Sequence, residues 1–270
     1  MLIEAVFLNF GGFFFAKRIG TKAIENKTET RSIHASSSLT SMIGECGLHF
    51  YKVGKIATIM SEMKSLTYPY YIIYKNIIEG NHTVLLLEYN QNKDFFLDPK
   101  DALKELLETE EGQGRKVLTE SSYAIVASRI GFKDQTIVSG KLSSLAQTDF
   151  GKQPHTVIIP GRLHFTESDA LKLFGQCIDE PFDNSEKTEK ISNQMMKKYV
   201  PMVREALEEI IPYYKNQKEF EIILENAELY VNDAEKFLEE GQDEVAILSI
   251  GYADGLVDAL RLAKGLEPKM

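Results

Sequence analysis

The chain has 270 residues, 43% of them hydrophobic, which is enough for one large domain or two modest ones with real cores. Its net charge of −9 argues against a general binder of nucleic-acid backbones. Cys46 and Cys177 are the only cysteines; they make neither a disulfide framework nor a zinc-type pair and suit a reducing cytosol.

In chain order, the first feature is the apolar run "AVFLNFGGFFFA" (5–16). It is too short to span a bilayer. Glu4 precedes it and Lys17 and Arg18 follow it, the reverse of a secretory signal. A strand, a glycine turn and a second apolar piece is the simplest reading, and a cytoplasmic protein without membrane association is expected. From about 31 to 178, strand-like and helix-like stretches alternate. Strands are expected at 55–60, 82–89, 123–130, 135–142 and 155–161, and helices at 38–47, 68–79, 99–109, 142–148 and 166–175. Asp98 followed by Pro99 is a good helix start. Several strands are continuous apolar runs, the mark of a sheet covered on both faces, so this part is read as α/β.

A polar linker, "DEPFDNSEK" (179–187), closes that region. Three amphipathic helices are expected after it. Their apolar faces would be Ile191, Met195, Tyr199, Met202, Ala206 and Ile210; then Phe220, Ile223, Ala227, Tyr230, Ala234 and Phe237; then Leu248, Tyr252, Leu256, Ala259 and Ala263. Pro212 and "EEGQD" (239–243) mark the intervening turns. Gly251, Gly255 and Ala259, spaced by four, permit a close helix approach, with ordinary packing inside the bundle as the simplest use. Residues 185–270 carry −7 of the net charge. The expected organisation is 1–30, 31–178, a linker at 179–186 and a helical domain at 187–270.

No nucleophile elbow, phosphate loop or His-Glu-x-x-His motif is present. The histidines, His34, His49, His82, His155 and His164, all precede the helical part, and none is spaced from another as a helical metal pair, so no metal is expected. Position is more telling. "IHASSSL" (33–39), "LLLEY" (85–89), "IVASRIG" (125–131) and "QPHTVIIPGRLHF" (153–165) each place polar residues at a strand end, where α/β sheets bind ligands. The serines of the first also read as a simple helix N-cap.

"IHASSSLTSMIGECGLHFYKVGK" (33–55), "HTVLLLEY" (82–89), "VASRIG" (126–131) and "DFGKQPHTVIIPGRLHFTE" (149–167) resemble, in order and spacing, the diphthine synthase family over about residues 23–175. The resemblance implies the C-terminal-type domain of the tetrapyrrole-methylase-like fold with part of its N-terminal domain. It implies an S-adenosylmethionine-dependent methyltransferase acting on the amino group of a modified histidine of elongation factor 2. It further implies a homodimer and an archaeal source. Carried across, the family's cofactor contacts fall on Ser38, Leu39, Leu87, Ser128 and His155. His155 would stand at the cofactor end, as a hydrogen-bonding group or, less simply, a general base, while His164 would hold structure. "ENAELYVNDAEKFLEEGQ" (225–242) resembles a small archaeal helical domain of unknown function.

The resemblance also implies a difference. The family carries a whole cofactor-binding N-terminal domain, of which residues 1–30 match only the last part. Where the family has a Gly-Asp-Pro loop, this chain has Gly11, Gly12 and Phe13. Three accounts stand side by side: a longer natural protein, a separately encoded N-terminal half, or a homologue that binds without catalysis. In the last case the helical part would dock a partner.

Overall fold

The computed structural model describes residues 37–61, 65–215 and 217–269. The expected strand and glycine turn at 5–16, the expected 1–30 segment, the Gly11–Phe13 difference, the phenylalanines of 13–15 and His34 lie outside the described residues. The chain divides into two compact units, one ending at Thr188 and one beginning at Glu189.

In the first unit a six-stranded mixed sheet runs β1-β2-β7-β5-β6-β8. Its strands are β1 Ala57–Ile59, β2 Thr83–Leu87, β5 Tyr123–Ser128, β6 Thr136–Lys141, β7 His155–Ile159 and β8 Gln176–Cys177. A separate hairpin pairs β3 Tyr89–Asn90 with β4 Phe95–Phe96. The helices are α1 Ser38–Glu45, α2 Thr67–Ile78, α3 Pro99–Gln113, α4 Leu142–Leu145 and α5 Phe165–Phe174. Asp98 caps α3 by accepting from the Lys100 amide, with Pro99 in the first turn, and Gly114 ends it at φ 61°. Continuous apolar strands are usual in parallel sheets, yet β7 is antiparallel to both β2 and β5, and β5 to β6. What the runs reflect is two covered faces. Ala124, Val126, Val157 and Leu85 pack with Ile73, Ile77, Leu106 and Leu145. Tyr123, Ile125, Ala127, Ile158 and Val84 pack on the other side with Met42, Ile43 and Leu171. The expected strand 82–89 is broken at Glu88, whose amide donates to the Ile59 carbonyl while its own carbonyl accepts from the Leu97 amide.

One carboxylate ties the end of the sheet where β2 begins and β7 finishes. Glu167 is fully buried. Its Oε1 accepts from the His49 amide at 2.8 Å and His82 Nε2 at 2.9 Å; its Oε2 accepts from Lys52 Nζ at 2.7 Å and the His164 amide at 2.8 Å. His82 Nδ1 accepts from the Gly161 amide, so the His82 proton sits on Nε2 and points at the carboxylate. His164 is the N-cap of α5 and completes a capping box with Glu167. The turn before it needs Gly161, because a Cβ there would run into the backbone of Asn81.

In the second unit, α6 Ile191–Tyr214, α7 Lys218–Glu239 and α8 Asp243–Ala263 pack around one core. Two expectations are corrected. Pro212 does not end the first helix, which contains Pro201 and Pro212 and continues to Tyr214. Each proline removes one amide donor, and the loss is offset where Val200, Val203, Ile210 and Tyr214 bury beside them. The inward face of α8 is also not Leu248, Tyr252, Ala259 and Ala263; Leu248 is 72% and Tyr252 53% exposed. Ala246, Ile250, Ala253, Val257 and Leu260 face inward instead, against Ala227, Val231 and Ala234 of α7. The helix carries two apolar stripes, and the one with small side chains allows the closer helix approach. Gly251 and Gly255 have no described neighbour at their Cβ positions, so they serve no packing inside this unit. Among the described residues no helix is long and apolar enough to cross a membrane.

Two outcomes test this description. Ile250→Ala is expected to cost about 2–4 kcal/mol in urea unfolding, as a buried aliphatic truncation does, and Leu248→Ser close to nothing. Glu167→Ala should cost about 3–5 kcal/mol, because it strands the buried His82 N–H and leaves the Lys52 ammonium only the Arg162 carbonyl. Burial works to raise the Glu167 pKa, but the bonds from His82, Lys52 and the two amides outweigh it and hold the group well below the carboxylate range. The stability it contributes is therefore complete above the ordinary glutamate value of about 4.3 and is lost as pH falls below it. The variant should lack that acid-sensitive component in stability measured against pH.

Candidate functional site

The antiparallel register decides what shares the other end of the sheet. Leu86 pairs with Thr156 and Ser128 with His155, so the last residues of β2 and β5 flank the first residue of β7. A cavity of about 340 Å³ lies there, within the range of small-molecule sites. Ser38, Leu87 and His155 line it, together with Glu88, Tyr89, Phe96, Leu97, Ile130, Phe132 and Pro154. Ser128 is buried beneath it, its Oγ 2.8 Å from His155 Nδ1. Leu39 lines a small adjoining pocket that shares Ser38, Ile130 and Pro154 with the cavity. The five positions singled out in the sequence are thus neighbours here, although they come from one helix and three strands. His164 stands at the opposite end of β7, in the Glu167 cluster.

Each side chain is positioned by a local device. Ser37 is the N-cap of α1, but its hydroxyl does not cap; its carbonyl accepts from the Ser41 amide and from Thr40 Oγ1. Ser38 follows as the first helical residue, at the wall of the cavity. After β5 the chain turns at Arg129, held in the left-handed region at φ 52°, a conformation that costs a non-glycine residue about 1–2 kcal/mol. Its amide donates to the Pro154 carbonyl, its Nε to Asp134 at 2.7 Å and its Nη1 to the Gln153 carbonyl. These bonds fasten the β5 end to the entry of β7.

Burial lowers the pKa of His155, with Asp98 and Asp149 pulling weakly the other way, so the imidazole is neutral near pH 7. The Cys46 thiol is buried and its pKa is pushed up to about 12, chiefly by desolvation, which removes it as a nucleophile. Glu88 is the charged group of the cavity wall. Hydrogen bonds from the Ser61 side chain and backbone, at 2.6 and 2.8 Å, hold its carboxyl below the usual range. The sequence reading passed over Glu88, Tyr89, Phe96 and Phe132. The first two stand inside "LLLEY", and the signal available was the turn-forming "NQNKD" (90–94) between Tyr89 and Phe96. The arrangement offers an apolar, aromatic-walled space with one hydroxyl, one neutral imidazole and one carboxylate. It can hold a flat heterocycle and a cation, and it can accept a proton.

Comparison with known proteins places these observations in a family context. The chain is 36% identical over 182 residues to a diphthine synthase of Methanocaldococcus jannaschii, covering 65% of this chain and 70% of that one. It is 37% identical over 162 residues to one from Methanococcus maripaludis, covering 59% and 63%. A crystal structure of a diphthine synthase superposes with a TM-score of 0.53 at 26% identity, covering 62% of each chain. A related crystal structure from Entamoeba histolytica gives 0.54 at 26% identity, covering 61% of this chain and 67% of that one. The chain therefore spans roughly two thirds of the length of the relatives it matches. Residues 198–266 match a family described as a protein of unknown function (DUF357).

The imidazole–hydroxyl pair makes a measurable prediction. His155 binds its proton less readily folded than unfolded, so its contribution to stability is complete above the ordinary histidine value of about 6.5 and falls as pH drops through it. Thermal midpoints between pH 7.5 and 5.5 should fall further for the wild type than for His155→Gln. Ser128→Ala should cost about 1 kcal/mol through the lost bond to Nδ1.

Proposed function

This chain belongs to the diphthine synthase family, and on that premise we propose that it is an S-adenosylmethionine-dependent methyltransferase of diphthamide biosynthesis. Its substrate is the modified histidine of elongation factor 2, and it works in the cytoplasm as a homodimer. The observation that carries this reading is the convergence of Ser38, Leu87 and His155 on one cavity, with Ser128 bonded to His155 and Leu39 in the adjoining pocket.

The wall of that cavity suits the cofactor's parts. Leu87, Leu97 and Ile130 provide apolar surface for a purine, and Ser38 and His155 supply polar groups that fix orientation. Ser38, Leu39, Leu87, Ser128 and His155 would hold the cofactor. When bound, it supplies an activated methyl group on a sulfonium leaving group. The protein's share is then alignment of an amine with that methyl, and exclusion of water from the apolar cavity. The attacking amine must be neutral, and His155, being uncharged near pH 7, is able to accept its proton.

Isothermal titration of the whole chain with S-adenosylmethionine tests the reading. Micromolar affinity, weakened by His155→Ala, is the expected result. No detectable heat favours the alternative of a non-catalytic homologue whose helical unit docks a partner; the exposed Leu248, Tyr252 and Leu262 of α8 are the observation on that side. Sedimentation of the same sample checks the homodimer.

A further inference from the structure

The five expected cofactor residues leave part of the cavity unexplained. Its remaining wall comes from Glu88 and from the hairpin that follows, where Tyr89 and Phe96 are cross-strand partners. Their rings stack at 4.4 Å with 26° between planes, so each covers one face of the other, and both line the cavity. Tyr89 is 47% exposed, a large aromatic surface to leave beside an apolar space. Both bonds from Ser61 end on Glu88 Oε2, and with the nearby Lys93 charge they keep the carboxyl ionised. The wall also contains Phe132, over whose ring the Arg129 guanidinium already sits at 4.3 Å, with Asp134 offsetting that charge at 2.7 Å. Aromatic faces attract cations through their negative quadrupole, most strongly where water is excluded. An ionised carboxylate beside such faces complements an alkylated onium ion.

We propose that Glu88, with the ring faces of Tyr89 and Phe96, forms a subsite for an alkylated onium cation, distinct from the residues assigned to the cofactor. The cation has two sources in the methyltransferase reading, on which this inference rests: the sulfonium of the methyl donor, or the substrate amine once it carries methyl groups. The shared chemistry is a positive centre wrapped in methyl or methylene groups. An uncharged isostere fills the same volume without the electrostatic attraction, and this separates the proposal from plain apolar burial.

Choline and its neutral isostere, 3,3-dimethylbutan-1-ol, are the probes, titrated against the full chain by NMR or calorimetry. Choline should bind about tenfold more tightly than the alcohol, and Glu88→Gln should erase that preference while leaving the alcohol unchanged. Equal affinities for the two probes in the wild type overturn the proposal without any variant. A preference that survives Glu88→Gln also overturns it. Titrating S-adenosylmethionine against S-adenosylhomocysteine then identifies the source. If Glu88→Gln removes discrimination between these two, the subsite serves the sulfonium; if discrimination is unaffected while choline binding is lost, it serves the ammonium. Cofactor binding without choline preference defeats the subsite and leaves the methyltransferase reading standing. Choline preference without cofactor binding does the reverse.

Discussion

Everything at the candidate site depends on the register of one strand. β7 pairs antiparallel with β2 on one side and β5 on the other, and Ser128 falls opposite His155. A shift of one residue would turn His155 to the other face of the sheet and bring Thr156 to the Ser128 position. The register is held because both faces are buried: Val157 and Ile159 are committed to one core and Ile158 to the other. A slipped register would drive each of these side chains into the opposite core, where the misfit in volume costs about 1–3 kcal/mol per site.

The opposite end of β7 is pinned by charge. Glu167 reaches across from α5 and gathers the amides of His49 and His164, the Lys52 ammonium and the His82 imidazole. With all four bonds made, the fully buried carboxylate is tolerable; with one removed it would be costly. This explains why "GLHFYKVGK" and "PGRLHFTE" are such distinctive stretches without bordering the cavity. Their special residues satisfy one buried anion, and so hold α5 and the Phe50–Lys52 turn to the sheet. The two histidines at the ends of β7 have different work. His155 is a neutral group beside a cavity, and His164 caps a helix.

The cavity and the helical unit show two ways of leaving apolar surface available. In the first unit the rings of Tyr89, Phe96 and Phe132 stay near the surface because they wall a concave space. In the second, α8 keeps Leu248, Tyr252 and Leu262 outside because the bundle selects the stripe with smaller side chains. Both patterns are compatible with a stable fold, since each unit buries a contiguous core of its own.

The alternation of apolar runs, the capped start of α3 at Asp98 and Pro99, and the three long amphipathic helices were determined by the sequence alone. These are local matters: period, turn chemistry and hydrogen-bond donors are written within a few residues of where they act. The neighbouring of Ser38, Leu87, Ser128 and His155 was suggested only by likeness to a family, because strand order and pairing direction join residues more than a hundred positions apart. The break at Glu88 and the inward face of α8 were decided by the tertiary structure. In both places the local pattern allowed two answers, a continued strand or a hairpin, one apolar stripe or the other. The choice fell to partners beyond the local pattern: Ile59 of β1 and Leu97 across the hairpin for Glu88, and Ala227, Val231 and Ala234 for α8.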